Sequence, residues 1–130
     1  MRIRFLDYVT PSGNNDIASW YCLQSVDCRA AFDDLLDILS KKKIWSEPEF
    51  KRLDGGLGEI RWRVGKVQYR MIGCAWKDPQ GYLLLIGCTH EQKVYNPPDA
   101  IRTADKRRRG ILFQQKGSVC EHESPEDCEA

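Results

Sequence analysis

The stretch from Leu57 to Trp76 constrains the fold more than any other part of this chain. Gly55-Gly56 interrupts what precedes it, and Leu57–Val64 then alternates. Ile60, Trp62 and Val64 fall on one side of an extended strand, with Glu59, Arg61 and Arg63 on the other. Gly65-Lys66 has the chemistry of a two-residue type II′ hairpin turn, with glycine first. Val67–Trp76 is then the return strand, and the turn dictates its register. Val64 faces Val67, Arg63 faces Gln68, Trp62 faces Tyr69, Arg61 faces Arg70 and Ile60 faces Met71. Trp62–Tyr69 and Ile60–Met71 are good apolar cross-strand pairs, so the register is consistent with a buried face.

The remaining elements build an α+β fold around this hairpin. Ile3–Val9 reads as a first strand, and Thr10–Asn15 as a loop rich in breakers. Asn15 or Asp16 caps a short helix to about Leu23, with Ile17, Trp20 and Tyr21 inward. A second helix starts near Ser25 or Asp27 and runs to about Lys41. Its apolar residues Cys28, Ala31, Phe32, Leu35, Ile38 and Leu39 recur at helical spacing. Lys41, Lys42 and Lys43 complement the C-terminus of that helix. Asp78-Pro79-Gln80-Gly81 forms a second turn, and Tyr82–Cys88 is apolar on both faces, as a central strand is. Asn96–Asp99 opens a final short helix, with Ala100, Ile101 and Ala104 inward and Gly110 as its stop. The expectation is a four-stranded antiparallel sheet with two N-terminal helices and one C-terminal helix. Residues 1–116 form the domain; residues 117–130 form an acidic tail expected to be disordered.

Charge divides the chain more sharply than its formal net of +1 suggests. Residues 1–40 carry −3, residues 41–116 carry +9, and Gly117–Ala130 carries −5. A basic middle between acidic ends fits either an anionic partner or self-neutralisation. No apolar run approaches the roughly 18 residues of a membrane span, and the N-terminus turns acidic too early for a signal peptide. A cytoplasmic setting is therefore expected, with all six cysteines reduced. Cys74 and Cys88 fall inside apolar strand patterns as small hydrophobes. The cysteines form no C-x-x-C; Cys120, His122 and Cys128 are a weak alternative set of metal ligands, but His122 reads as a bystander and no metal or small-molecule cofactor is expected.

Arg61 opposite Arg70 is the chemically informative pair, because like charges directly across a sheet repel. An anion between them resolves the conflict. The internal candidate is Glu59, and the external one is phosphate, which arginine grips with paired hydrogen bonds. Arg63 and Lys66 extend the same face towards the turn. Downstream, His90 is either a surface histidine or a general acid–base group; Lys93 is a cation suited to phosphoryl charge. Tyr95 either packs on Pro97-Pro98 or stacks on a base. Lys106, Arg107, Arg108 and Arg109 complement a helix C-terminus or contact a phosphate backbone.

These residues resemble a family. The run Leu53–Arg63, then Val67–Met71, an apolar strand, and Tyr95–Ile101 with its basic helix is similar to the RelE/ParE toxin superfamily, and within it to the HigB-like, phage-derived branch. The resemblance spans roughly residues 15–110. It implies a curved sheet packed by two N-terminal helices, in a toxin neutralised by a helix-turn-helix antitoxin protein. The implied activity is metal-independent, ribosome-dependent cleavage of mRNA, in which a 2′-hydroxyl attacks the adjacent phosphate. Arg61 and Arg70 match the family's strand arginines; His90, Lys93 and Tyr95 match its acid, base or stacking positions by location. Two other functions fit the same fold: non-enzymatic inhibition of DNA gyrase, as in the ParE branch, and a phage-derived nucleic-acid- or protein-binding module.

Overall fold

A computed structural model describes residues 2–77 and 80–128. In chain order the elements are β1 (Arg4–Val9), α1 (Asp16–Cys22), α2 (Val26–Ser40), β2 (Phe50–Arg52), β3 (Leu57–Val64) and β4 (Val67–Trp76). They continue with β5 (Gly81–Glu91), β6 (Val94–Asn96), α3 (Ala100–Gln114) and β7 (Ser118–Glu121). No helix among the described residues is long and apolar enough to cross a membrane.

Both N-terminal helices start where side chains satisfy their free amides. Asn15 accepts from the Ala18 amide, and Ser25 from the Cys28 amide. The β3–β4 hairpin has the expected register throughout, from Val64↔Val67 to Leu57↔Cys74. Gly65 has φ +60°, which its turn position demands and a side chain would disfavour. Trp62 stacks on Tyr69 at 5.6 Å between ring centroids and packs against Phe32 of α2.

The sheet is larger and more mixed than the expected four antiparallel strands. Its strands run in the order β2-β3-β4-β5-β1-β7, with β6 also paired to β5. β1 lies parallel to β5, because the two helices after it carry the chain across one face. β5 is central, as its apolar composition implies. The α1–α2 side buries Phe32, Ile60, Met71 and Leu84; the α3 side buries Leu57, Ile72, Leu83, Leu85, Ala100 and Ala104. The arginine-bearing face of the hairpin is therefore partly covered by α3, not fully solvated.

Five further expectations change. The strand expected to stop at Cys88 continues to Glu91, turns at Gln92-Lys93 with φ of +49° and +66°, and returns as β6. This is the geometry of a type I′ turn, adopted without glycine. Helix α3 runs past Gly110 to Gln114, and the following Gln115, with φ of +52°, ends it. The tail expected to be disordered adds β7 antiparallel to β1 and is fastened beyond it. Arg4 pairs with Glu121 at 2.7 Å, His122 Nδ1 lies 2.7 Å from the buried Asp7, and Ser124 donates to Asp33 at 2.6 Å. Polar side chains that complement particular partners thus substitute for the large apolar residues the tail lacks, so His122 is no bystander. Cys128 reaches the end of α1 and is disulfide-bonded to Cys22, with Cα atoms 4.9 Å apart, contrary to the expectation of six thiols. The expected turn at Asp78-Pro79 lies outside the described residues.

Candidate functional site

A β-bulge decides which side chains share a face. Across β4–β5, Ile72 pairs with Ile86 but Gly73 pairs with Leu84, leaving Leu85 as the extra residue. The one-residue offset places Cys88 opposite Arg70, and hence His90 on the face of Arg61 and Arg70. Tyr95 lies opposite His90 on β6, with ring centroids 4.8 Å apart. Four strands thus bring Glu59, Arg61, Arg70, His90 and Tyr95 to one corner of the α3-side face.

Glu59 organises this corner. It is 2% exposed. One carboxylate oxygen lies 3.0 Å from Arg61 Nε and 3.6 Å from Arg70 Nε; neither contact is aligned as a hydrogen bond. The other oxygen accepts from the Tyr95 hydroxyl at 2.6 Å. The anion between the arginines is therefore internal, which settles the open question about their opposition. Arg70 is enclosed: its guanidinium donates to the Tyr69 carbonyl and the Gln68 side chain, and it is 5% exposed. Burial, then the neighbouring Arg61, pull its pKa below the usual arginine value. Arg61 retains partial access, and its Nη1 meets the exposed Glu47 at 3.2 Å. Two guanidiniums against the single buried carboxylate leave one positive charge for this inner cluster, before the rim Glu47 is counted.

The neighbours are tuned in opposite directions. His90 is held below the ordinary histidine value, first by burial and then by the Arg70 charge. It is thus biased towards neutral imidazole, the form that accepts a proton. Burial and the bond to Glu59 push the Tyr95 hydroxyl well above the ordinary tyrosine range, so it stays protonated. Cys88, behind Arg70, is raised by burial to about 12 and is inert as a thiolate at neutral pH.

The other predicted residues divide. Arg63 and Lys66 are exposed near the hairpin turn, Arg63 donating to the Gly65 carbonyl at 2.8 Å. Lys93 is exposed on the β5–β6 turn. In α3 the basic run fans out. Lys106 and Arg109 are exposed, Arg109 pairing with Asp105, while Arg108 lies against Gly56. Arg107 turns inward, donating to the Leu85 carbonyl and to Asp16, both at 2.7 Å, and lying over the Tyr8 ring. Its charge is thus engaged within the fold. Lys51 and Glu47 were missed. Lys51 sits directly across β2–β3 from Glu59, signalled only by the three-residue strand that pairs there.

The sequence profile of the family Phage derived protein Gp49-like (DUF891) matches residues 23–109, two thirds of the chain. The chain belongs to this family. The Gp49-like segment runs from just after α1 into α3 and contains the whole Glu59 corner. β1, α1 and the fastened tail lie outside it. No curated protein and no solved structure matches the chain.

Proposed function

We propose that this Gp49-like protein is a toxin of the RelE/ParE superfamily, HigB-like branch, that cleaves mRNA on the ribosome without a metal ion. The observation that carries the reading is the company His90 keeps: an imidazole biased towards its neutral form, on one face with two arginines that it does not neutralise. In this reading His90 takes the proton of a ribose 2′-hydroxyl. The 2′-oxygen bonds to the adjacent phosphorus as the bond to the 5′-oxygen breaks, leaving a 2′,3′-cyclic phosphate and a 5′-hydroxyl. Arg61, the accessible guanidinium, holds the phosphate by displacing Glu47 and meets the charge that develops on it. Lys93 supplies the proton taken up by the leaving oxygen.

Arg70 and Tyr95 take different roles from those expected of them. Both are committed to partners within the protein, so they act as positioning residues, holding Glu59 and through it Arg61. The partner that belongs to this reading is a helix-turn-helix antitoxin encoded beside the toxin.

Primer extension on mRNA after induction tests the proposal. New 5′ ends within coding sequence are expected from the wild type, with Arg61→Ala and His90→Ala each reducing their yield at least a hundredfold while retaining the folded circular-dichroism spectrum. Absence of new ends from the wild type, or undiminished cleavage by both variants, overturns it.

A further inference from the structure

The segment after β7 is held at both ends, by unlike means. At its start, β7 lies on β1, the His122 amide donates to the Phe5 carbonyl at 2.9 Å, and the His122 ring meets Asp7. At its end, Cys128 is bonded to Cys22, the last residue of α1. Between them the Ser124 hydroxyl donates to Asp33, which also accepts from the Tyr21 hydroxyl at 2.6 Å. Glu123, Glu126 and Asp127 are exposed.

Residues 123–128 bring no large apolar side chain to the core, so their order depends on the covalent end. Fastened at one end only, they regain backbone freedom, and ordering six residues costs more than contacts of exposed charges return. The Ser124–Asp33 hydrogen bond alone is too little to hold them. The two anchors, by contrast, stand without the disulfide. Ile17 of α1 is buried, Tyr21 is tied to Asp33 and Asp16 to Arg107, while β7 keeps its ladder to β1. Cys22 and Cys128 are half-buried, at the margin of the α1–α2 core, where a small thiol can reach the sulfurs. Cys28, Cys74 and Cys88 are buried.

We infer that the Cys22–Cys128 bond is a redox-operated latch, which holds residues 123–128 on α1 and α2 when oxidised and frees them when reduced. A dithiol reductant supplies the two electrons. One of its thiolates attacks a sulfur of the pair, forming a mixed disulfide and expelling the other protein sulfur as a thiolate. Its second thiolate then attacks the mixed disulfide. The reductant leaves as a cyclic disulfide, and its two protons end on Cys22 and Cys128. The freed tail is an acidic chain end open to proteases, so redox state sets how readily the C-terminus is cut. The latch concerns the tail alone and stands apart from cleavage at His90.

Iodoacetamide labelling and native-state hydrogen exchange of the full chain, with and without dithiothreitol, test it. In the oxidised chain the exposed Cys120 is expected to label. After reduction Cys22 and Cys128 should label as well, while the buried Cys28, Cys74 and Cys88 stay protected. Amides of residues 123–128 should exchange at least ~10-fold faster on reduction, with β7 and the β3–β4 hairpin unchanged. A Glu-specific protease should cut after Glu123 faster by a similar factor. The Cys22→Ser/Cys128→Ser double variant should exchange like the reduced chain whether or not reductant is present. The latch is overturned if Cys22 and Cys128 label before reduction, if they resist dithiothreitol until the chain unfolds, or if reduction leaves exchange at 123–128 unchanged. A double variant whose tail is as protected as the oxidised chain's overturns it too. So does equal acceleration across the β3–β4 hairpin, since the bond would then be a staple of the whole fold.

Discussion

Glu59 is enclosed between two guanidiniums, so removing its charge leaves Arg61 and Arg70 facing each other across a buried corner. Breaking a buried ion pair from one side typically costs 3–5 kcal/mol; the partial exposure of Arg61 places Glu59→Gln at about 3 kcal/mol, measurable by urea unfolding. Glu47→Gln is expected to change stability by less than about 0.5 kcal/mol, since that pair is largely solvated. It should nevertheless strengthen RNA binding at low salt, because a competitor for Arg61 has been removed. His90 supplies the pH signature. Its folded pKa is depressed, so the proton-accepting form predominates at neutral pH and is lost as pH falls through a value below 6.5. Cleavage should therefore be flat near neutrality and decline on the acid side. In Arg70→Gln, which removes one of the charges opposing protonation, that decline should begin at higher pH in a single-turnover pH–rate profile.

Among the elements, the β4–β5 bulge and the β7 strand do work that their short sequences conceal. The bulge gives β5 the offset that turns His90 towards Arg61, and Arg107 accepts the task of binding the Leu85 carbonyl at the bulged residue. Arg107→Ala removes that charge-assisted bond together with the Asp16 pair, and is expected to cost about 2 kcal/mol. Hydrogen exchange should localise the loss to β5 and α3. At the opposite edge, β7 covers β1, whose backbone would otherwise be open to pairing with another chain. The Cys22–Cys128 bond closes a span of 106 residues, and chain entropy sets its contribution at about 5 kcal/mol. Unfolding with and without reductant should differ by roughly that amount, whereas Cys22→Ser should not respond to reductant.

For the molecule as a whole, charge is distributed by the order of strands. β7 lies beyond β1, with β5 and β4 between it and the Arg61 strand, so the acidic tail does not cover the basic corner. Removing residues 117–130 should consequently lower the melting temperature and promote association by exposing the β1 edge. It should not raise RNA affinity through unmasking of Arg61. Light scattering and RNA binding on the same sample separate these effects.

The local chemistry of the chain determined its hairpin outright. Gly65-Lys66 and the alternation on either side specify a turn and a register, because both depend on neighbours within a few residues. Asn15 and Ser25 likewise set the helix starts, and Tyr82–Cys88 declared itself central by being apolar on both faces. The arginine opposition was legible for the same reason. What filled it was not. Glu59 and phosphate were equal candidates until Tyr95 returned on β6 to hold the carboxylate, through a turn at Gln92-Lys93 that lacks the usual glycine. The face of His90 depended on a bulge, and alternation counted from Leu83 cannot locate one. The order of the tail depended on Asp7, Asp33 and Cys22, about 90 to 115 residues away in sequence. Register and capping are short-range and were written in the residues themselves; the occupancy of the Arg61–Arg70 corner was decided only when distant strands closed around it.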